Sequence, residues 1–330
     1  MRQIVQFWQE KGGRVMAKPS ETIITTLLGA ANKQQISIAF CPYKFAMWDC
    51  MEPVYVKAWE TRGISADIIP LDFVTYPGGH LHNERDAFIN AGFNALELKA
   101  LYNNSYDYII IHYPYDNHNN VTSLTPDCCS DELKKYGKLV YIPYHGNIAE
   151  KKWCRFFTHP GASNSDFICL GSCDDVVGFH ETVPNYAGTI IQTGGSTKVE
   201  CAEMHKNDLI PEQYQRLRHP VTLICGTLWT FTHDPFGRMK RHWNMIQNEL
   251  AYDHTVIYRP HPLVYEAIAV MRPEALEQYN NFLENVASSV ILDNSPYLHQ
   301  AFRVADKLIC DPSSVQRTWA GTGKPIEVME

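Results

Sequence analysis

The stretch VTLICGTLWTFTHDPFGRMKRHWNMIQNELAYDHTVIYRPHP, residues 221–262, reads as strand, helix, strand, and that alternation decides the fold class. Val221–Cys225 and Thr255–Tyr258 are unbroken apolar and β-branched runs, the pattern of strands covered on both faces. Between them Asp234 offers an N-cap oxygen, and Pro235 is already set to helical φ at the first helical position. Met239, Trp243, Ile246 and Leu250 then recur at helical spacing. Strands joined in this way lie parallel, with a right-handed crossover between them.

The same grammar extends in both directions. Short buried runs recur at Ile36–Phe40, Ala66–Ile69, Tyr108–His112, Leu139–Ile142, Phe167–Leu170, Thr189–Gln192, Val290–Leu292, Lys307–Cys310 and Pro325–Val328, and Pro273 to Val286 reads as a further helix. Repeated strand and helix alternation predicts an α/β protein. With 330 residues the chain is long enough for two cores, and the polar stretch from Thr193 to Pro220 interrupts the alternation. The expectation is two doubly wound Rossmann-like domains facing across a cleft, residues 1–200 and 201–330. Open parallel sheets bind ligands beyond the carboxyl ends of their strands, so residues that directly follow strands are the candidates for chemistry.

Composition narrows the function. Apolar residues at 45% and charged residues at 20% exclude wholesale disorder and coiled coil. A formal charge of -7 argues against a broad nucleic-acid surface but not against a local pocket for an anion. Ten irregularly spaced cysteines without a secretory segment ahead of them predict reduced thiols and a cytoplasmic protein, and no apolar run approaches the length of a membrane span. Walker A, G-x-G-x-x-G, G-x-S-x-G and H-E-x-x-H patterns are all missing. Cys128-Cys129 and the Cys169, Cys173 pair lack partners for a zinc set, and His80, His82, His112 and His118 read as surface or supporting residues, so no metal site is expected.

Three strand ends carry polar residues. Tyr141-Ile142-Pro143-Tyr144-His145-Gly146 puts a histidine and a glycine on the turn after a strand; there His145 is either a general base or a strand-end cap. Tyr258-Arg259-Pro260-His261-Pro262 is a proline-stiffened loop whose Arg259 either meets phosphate or pairs with a carboxylate. Asp311-Pro312-Ser313-Ser314 precedes a short helical run, where hydroxyls and free N–H groups serve an anion or merely cap the helix. Their shared position at strand ends favours function over the structural alternatives.

As a set these segments resemble the CDP-glycerol glycerophosphotransferase family, the teichoic-acid and capsule polyol-phosphate transferases. The likeness runs in order through Phe40 to Lys44 with Met47-Trp48-Asp49, Tyr108 to Asp116, Tyr141 to Gly146, Thr193 to Lys198, Arg259 to Leu263, and Asp311 to Ser314 with Gly323-Lys324-Pro325. The resemblance implies a GT-B fold with the nucleotide on the second domain. It implies His145 as base toward the acceptor hydroxyl and His261 as its catalytic counterpart at the donor phosphates. Arg259, Ser313, Ser314, Gly146, Asp311 and Lys324 are implied as substrate-binding residues. The implied partners are a CDP-polyol donor such as CDP-glycerol and a polyol-phosphate, glycan or lipid-linked acceptor, with no nucleic acid, no cofactor and no metal; contact with the inner face of the cell membrane stays open.

The sequence departs from the family where Arg317-Thr318 follows the serine pair, where Tyr144 precedes the His-Gly, and where Ser196-Thr197-Lys198 lacks a proline. Thr318 in place of an acid keeps in view a GT-B glycosyltransferase using a nucleotide sugar; a catalytically silent nucleotide-binding protein is a further alternative, although it predicts unusual residues at His145 or His261, which the sequence does not show.

Overall fold

The computed structural model describes residues 17–145 and 156–329. Its first lobe is a sheet in the order β2-β1-β5-β7-β8-β9, with every neighbouring pair parallel. The strands are β1 Ile36–Phe40, β2 Ile64–Ile68, β5 Tyr108–Ile111, β7 Lys138–Tyr141, β8 Phe167–Leu170 and β9 Thr189–Gln192. A small antiparallel sheet, β4-β3-β6, is built from β3 Phe73–Thr75, β4 His80–His82 and β6 Thr122–Leu124. The second lobe is a parallel sheet in the order β12-β11-β10-β13-β14, from β10 Val221–Cys225, β11 Thr255–Arg259, β12 Ile291–Leu292, β13 Lys307–Cys310 and β14 Ile326–Val328.

The unbroken apolar runs have a direct physical counterpart, because alternate residues of each strand enter cores on opposite faces. In the first lobe Ala39, Ile109, Ile111, Leu139 and Ile168 pack on one side, and Ile38, Phe40, Ile110, Val140 and Phe167 on the other. In the second lobe Ile224, Val256, Tyr258 and Ile309 face one way, and Leu223, Cys225, Ile257 and Leu308 the other. Strand order reverses between β1 and β5 in one lobe and between β10 and β13 in the other, which sets a crevice at the carboxyl end of each sheet. The lobes pack together, since Leu263 of the second lobe belongs to the core of the first.

Three helices hold the first lobe to the junction: α1 Pro19–Ala31, α2 Glu52–Glu60 and α3 Thr197–Met204. A division of the chain between residues 200 and 201 falls inside α3, which packs on α1, on α2 and on the 3-10 turn Phe45–Cys50. The second lobe adds α4 Pro235–Ala251, capped by the Asp234 side chain as its sequence implies. Further on lie α5 Leu298–Val304 and α6 Val315–Ala320. The helix expected from Pro273 to Val286 is a 3-10 turn, Pro273–Ala275, followed by a helix over Leu276–Ser289. The β4-β3-β6 sheet was not expected, because strands of three residues are too short to show a period.

Ile224 is fully buried in the middle of the second sheet. Ile224→Ala should lower unfolding stability by about 2–5 kcal/mol. In urea titrations this should move the midpoint while leaving the slope unchanged.

Candidate functional site

The residues that follow β1, β5, β7 and β11 converge with the junction helix at the face between the lobes. At their centre is an ion pair, Lys198 Nζ to Asp49 Oδ2 at 3.1 Å, with side chains only 14% and 15% exposed. Asp49 is supplied by the 3-10 turn after β1 and Lys198 by the first turn of α3. Burial works against the Lys198 ammonium, but the adjacent carboxylate prevails and holds the lysine above its ordinary range. Burial also raises Asp49, with Lys198 opposing that shift.

Two histidines lie within the field of this cation. His112, directly after β5, is wholly buried and accepts the Tyr43 N–H on Nε2 at 2.9 Å, so the β1 and β5 loops are tied at the point where strand order reverses. Burial, with Lys198 adding to it, lowers His112 to about 3. A neutral imidazole accepting on Nε2 carries its proton on Nδ1, and that Nδ1 is buried without a partner among the described residues. Asp49 Oδ1 is likewise buried and unpartnered there. His261 is lowered to about 4 by burial, reinforced by Lys198, Lys44 and Arg259. Its Nδ1 accepts the Leu263 N–H at 3.2 Å, which leaves the proton of the neutral ring on Nε2. His261 is therefore a neutral hydrogen-bond donor at pH 7.

Beside His261 opens a cavity of about 790 Å³. Lys44, Phe45, Glu84 and Asn90 form its first-lobe wall, and Arg259, His261, Tyr265, Ser295 and Tyr297 are among the residues of its second-lobe wall. The size lies within the range of small-molecule sites, and the mixture of rings, amides and cations suits a flat polar ligand bearing negative charge.

The sequence-derived site residues divide into those the structure brings to this face and those it commits elsewhere. His261 borders the cavity. His145 stands on the facing strand end in an aromatic nest, with ring centroids 5.0 Å from Tyr144 and 5.2 Å from Phe156, while Gly146 lies outside the described residues. Ser314 starts α6 without a side-chain cap, and Ser313 is partly exposed beside it. Both serines follow β13, on the opposite side of β10 from Arg259, roughly 10 Å away by strand spacing. The cavity wall does not include them.

Three expectations are corrected. Arg259 is not an open fork for phosphate: Nη1 donates to Asp293 Oδ2 at 2.5 Å and to Ser295 Oγ at 3.1 Å, and Nη2 to the Ser295 carbonyl at 2.7 Å. It braces the Asp293–Tyr297 loop of the cavity wall. Asp311 has no exposure, accepts the Thr227 N–H and the Thr230 hydroxyl, and pairs with Arg238 at 2.8 Å, so it fixes the loop after β10 rather than touching a ligand. Lys324 precedes β14 at the amino-terminal edge of the sheet, far from the cleft, and its ammonium donates to the carbonyls of Phe302, Arg303 and Ala305 at the end of α5.

The family likeness singled out the segments holding Asp49 and Lys198, but assigned neither charge a role. An acid and a base 149 positions apart give no periodic signal. Lys44, within one of the same segments, was likewise given no role, and the polar wall from Asp293 to Tyr297 was missed because nothing local marks it as facing the other lobe.

The sequence matches no protein-family model, and no curated protein matches it. Solved structures do match in fold. UDP-GlcNAc 2-epimerase from Neisseria meningitidis, bound to UDP-GlcNAc, superposes with a TM-score of 0.60 at 13% identity, over 89% of this chain and 83% of the other. The Methanocaldococcus jannaschii UDP-GlcNAc 2-epimerase, with UDP-GlcNAc and UDP, gives 0.61 at 10% identity over the same shares. The wall teichoic acid polymerase TagF aligns more loosely, at 0.48 and 12% identity over 92% of this chain and 76% of that one, and carries no weight for function. Two Rossmann-like lobes facing across a cleft, the GT-B arrangement expected from the sequence, are what the chain shares with the two epimerases.

Two measurements probe the face between the lobes. Asp49→Asn strands a buried ammonium and should cost about 3–5 kcal/mol in urea unfolding, while the double variant Asp49→Leu/Lys198→Met should recover most of that loss. His112 and His261 bind protons less readily folded than unfolded, where a histidine titrates near 6.5. The unfolded chain therefore takes up more protons between about pH 6.5 and 4, and stability should fall as pH falls through that window. His112→Gln should flatten the dependence, as read from urea midpoints at stepped pH.

Proposed function

We propose that the chain is a transferase that moves glycerol phosphate, or a related polyol phosphate, from a CDP-activated donor to an acceptor hydroxyl in cell-surface polymer synthesis. The observation that carries this reading is a neutral His261 Nε2–H donor beside Lys44 at the wall of a cavity of about 790 Å³, with the buried Lys198–Asp49 pair near enough for Lys198 to act on the same ring. The ordered motif resemblance selects the CDP-polyol among nucleotide donors. No cofactor is needed for the reaction as proposed.

On this reading the nucleobase lies in the cavity between Tyr265 and Tyr297, with Asn90, Asn294 and Ser295 available to its polar edge. The diphosphate faces His261 Nε2–H and the Lys44 ammonium, and Ser313 and Ser314 receive the end that carries the polyol. His145 takes the proton of the acceptor hydroxyl as its oxygen bonds to the polyol-bearing phosphorus. The bond from that phosphorus to the bridging oxygen breaks, and CMP leaves with the electron pair. Catalysis of this kind rests on positioning and on charge placed in advance around the phosphoryl oxygens. Among the described residues no helix is long and apolar enough to cross a membrane, so a lipid-linked acceptor would be met from one side.

A second reading is favoured by one specific finding: the two epimerase structures that share the fold were solved with UDP-GlcNAc. The same cavity would then hold a UDP-sugar. Thermal shift and turnover with CDP-glycerol, CDP-ribitol, UDP-GlcNAc and GDP-sugars separate the two. The proposal expects stabilisation and CMP release with a CDP-polyol plus a polyol-phosphate acceptor, and a loss of at least 100-fold in kcat for His261→Ala and for His145→Ala. Preference for a UDP-sugar, near-normal turnover of both variants, or binding without turnover overturns it.

A further inference from the structure

A second cluster of polar groups lies one turn away from the Lys198–Asp49 pair. Glu52, the first residue of α2, is buried, yet its carboxylate is shared between Cys201 and His205 of the junction segment. Cys201 Sγ is 3.5 Å from Glu52 Oε2, and His205 Nε2 is 3.0 Å from Glu52 Oε1. All three ligand atoms fall within 4.8 Å of one another. Cys201 and His205 are four apart at the end of α3, which puts them on one face of the helix.

The geometry points to a divalent metal site of zinc-like preference held by Glu52, Cys201 and His205. Tetrahedral zinc with sulfur, nitrogen and oxygen ligands has edges of roughly 3.4–3.6 Å, so three ligand atoms already within 4.8 Å of one another need only a small inward movement to hold it. A thiolate, an imidazole and a carboxylate form a borderline-soft set, which suits Zn²⁺ over the hard cations Mg²⁺ and Ca²⁺. The strongest support comes from the far side of the ring: His205 Nδ1 is hydrogen-bonded to Asp208 Oδ2 at 2.6 Å. That carboxylate fixes the tautomer that turns Nε2 toward Glu52 and Cys201, the arrangement found behind metal-bound histidines. The ion would replace the hydrogens now shared between Glu52 and its two neighbours, and three protein ligands leave a fourth position for water.

The site would serve a structural end. Glu52 follows Asp49 by three residues and Cys201 follows Lys198 by three, so the ion and the salt bridge join the same two segments in parallel. His299 of α5 stacks on His205 with ring centroids 4.7 Å apart and planes within 8°, so the second lobe rests on the same ring. This inference stands apart from the transferase reading and survives its failure.

The test is cobalt substitution on the full chain. Protein stripped with a chelator is titrated with Co²⁺, and zinc carried through purification without chelator is measured by mass spectrometry. The expected result is one equivalent of metal, with a thiolate-to-cobalt charge-transfer band that Cys201→Ser removes. His205→Ala should weaken binding at least tenfold and Asp208→Asn by about tenfold, whereas Cys173→Ser, which alters an exposed thiol, should change nothing. Circular dichroism of each variant separates lost ligation from lost fold, and the wild-type cobalt spectrum decides the matter even if Cys201→Ser does not fold. A spectrum without charge transfer, weak binding at many sites, or a band unaffected by Cys201→Ser and His205→Ala overturns the inference.

Discussion

A lysine ammonium taken out of water next to one carboxylate is the constraint on which the face between the lobes depends. Lys198 and Asp49 are both largely buried, and neither charge is tolerable there without the other. Their pairing fixes the junction helix against the turn that follows the first strand, and so sets where the chain enters the second lobe. It also sets the electrostatics of the cleft, because the Lys198 charge helps keep His112 and His261 unprotonated. A pair of this kind adds little net stability over an apolar pair of the same shape. What the pair supplies is a lysine charge fixed at one place beside the cleft.

That charge bears on how an acidic protein would host the anionic ligand proposed for it. The formal charge of the whole chain is -7, yet the groups acting on His261 are Lys198, Lys44 and Arg259. Exposed acids elsewhere are screened within about 8–10 Å in physiological salt, whereas cations lining a protein-walled cleft are screened far less. Net charge therefore describes encounter at long range, and the few buried groups describe the pocket. The two need not agree in sign.

Fold was legible in the sequence because buried parallel strands announce themselves by composition. Val221–Cys225 and Lys307–Cys310 stand where the sequence puts them, and β11 extends the expected strand by only one residue, Arg259. What the pattern could not convey was short or non-local. The three-residue strands around Phe73 carry no period, and the junction helix lies in a polar stretch with little amphipathic signal. The site was legible as a set of strand ends, but not in the use made of each residue. Arg259, Asp311 and Lys324 are a fork, a carboxylate and an ammonium of the kinds that phosphate chemistry employs, and tertiary structure spends all three on the protein's own loops and helix ends. Chemical type is written in the sequence; the partner is chosen by the fold.

The neutral state of His261 has a consequence for the proposed chemistry. Burial disfavours a charge on this ring, and a fourth positive charge beside Lys198, Lys44 and Arg259 would be repelled as well, so the free protein offers Nε2–H as an uncharged donor. A bound diphosphate reverses the sign of the local field. The same ring then gains proton affinity, and more so as negative charge accumulates on the departing phosphate. A histidine held neutral by burial and by nearby cations would thus become a stronger donor as the proposed reaction proceeds. A lysine at that position, charged throughout, would bind ground state and transition state with more nearly equal strength and would discriminate less between them.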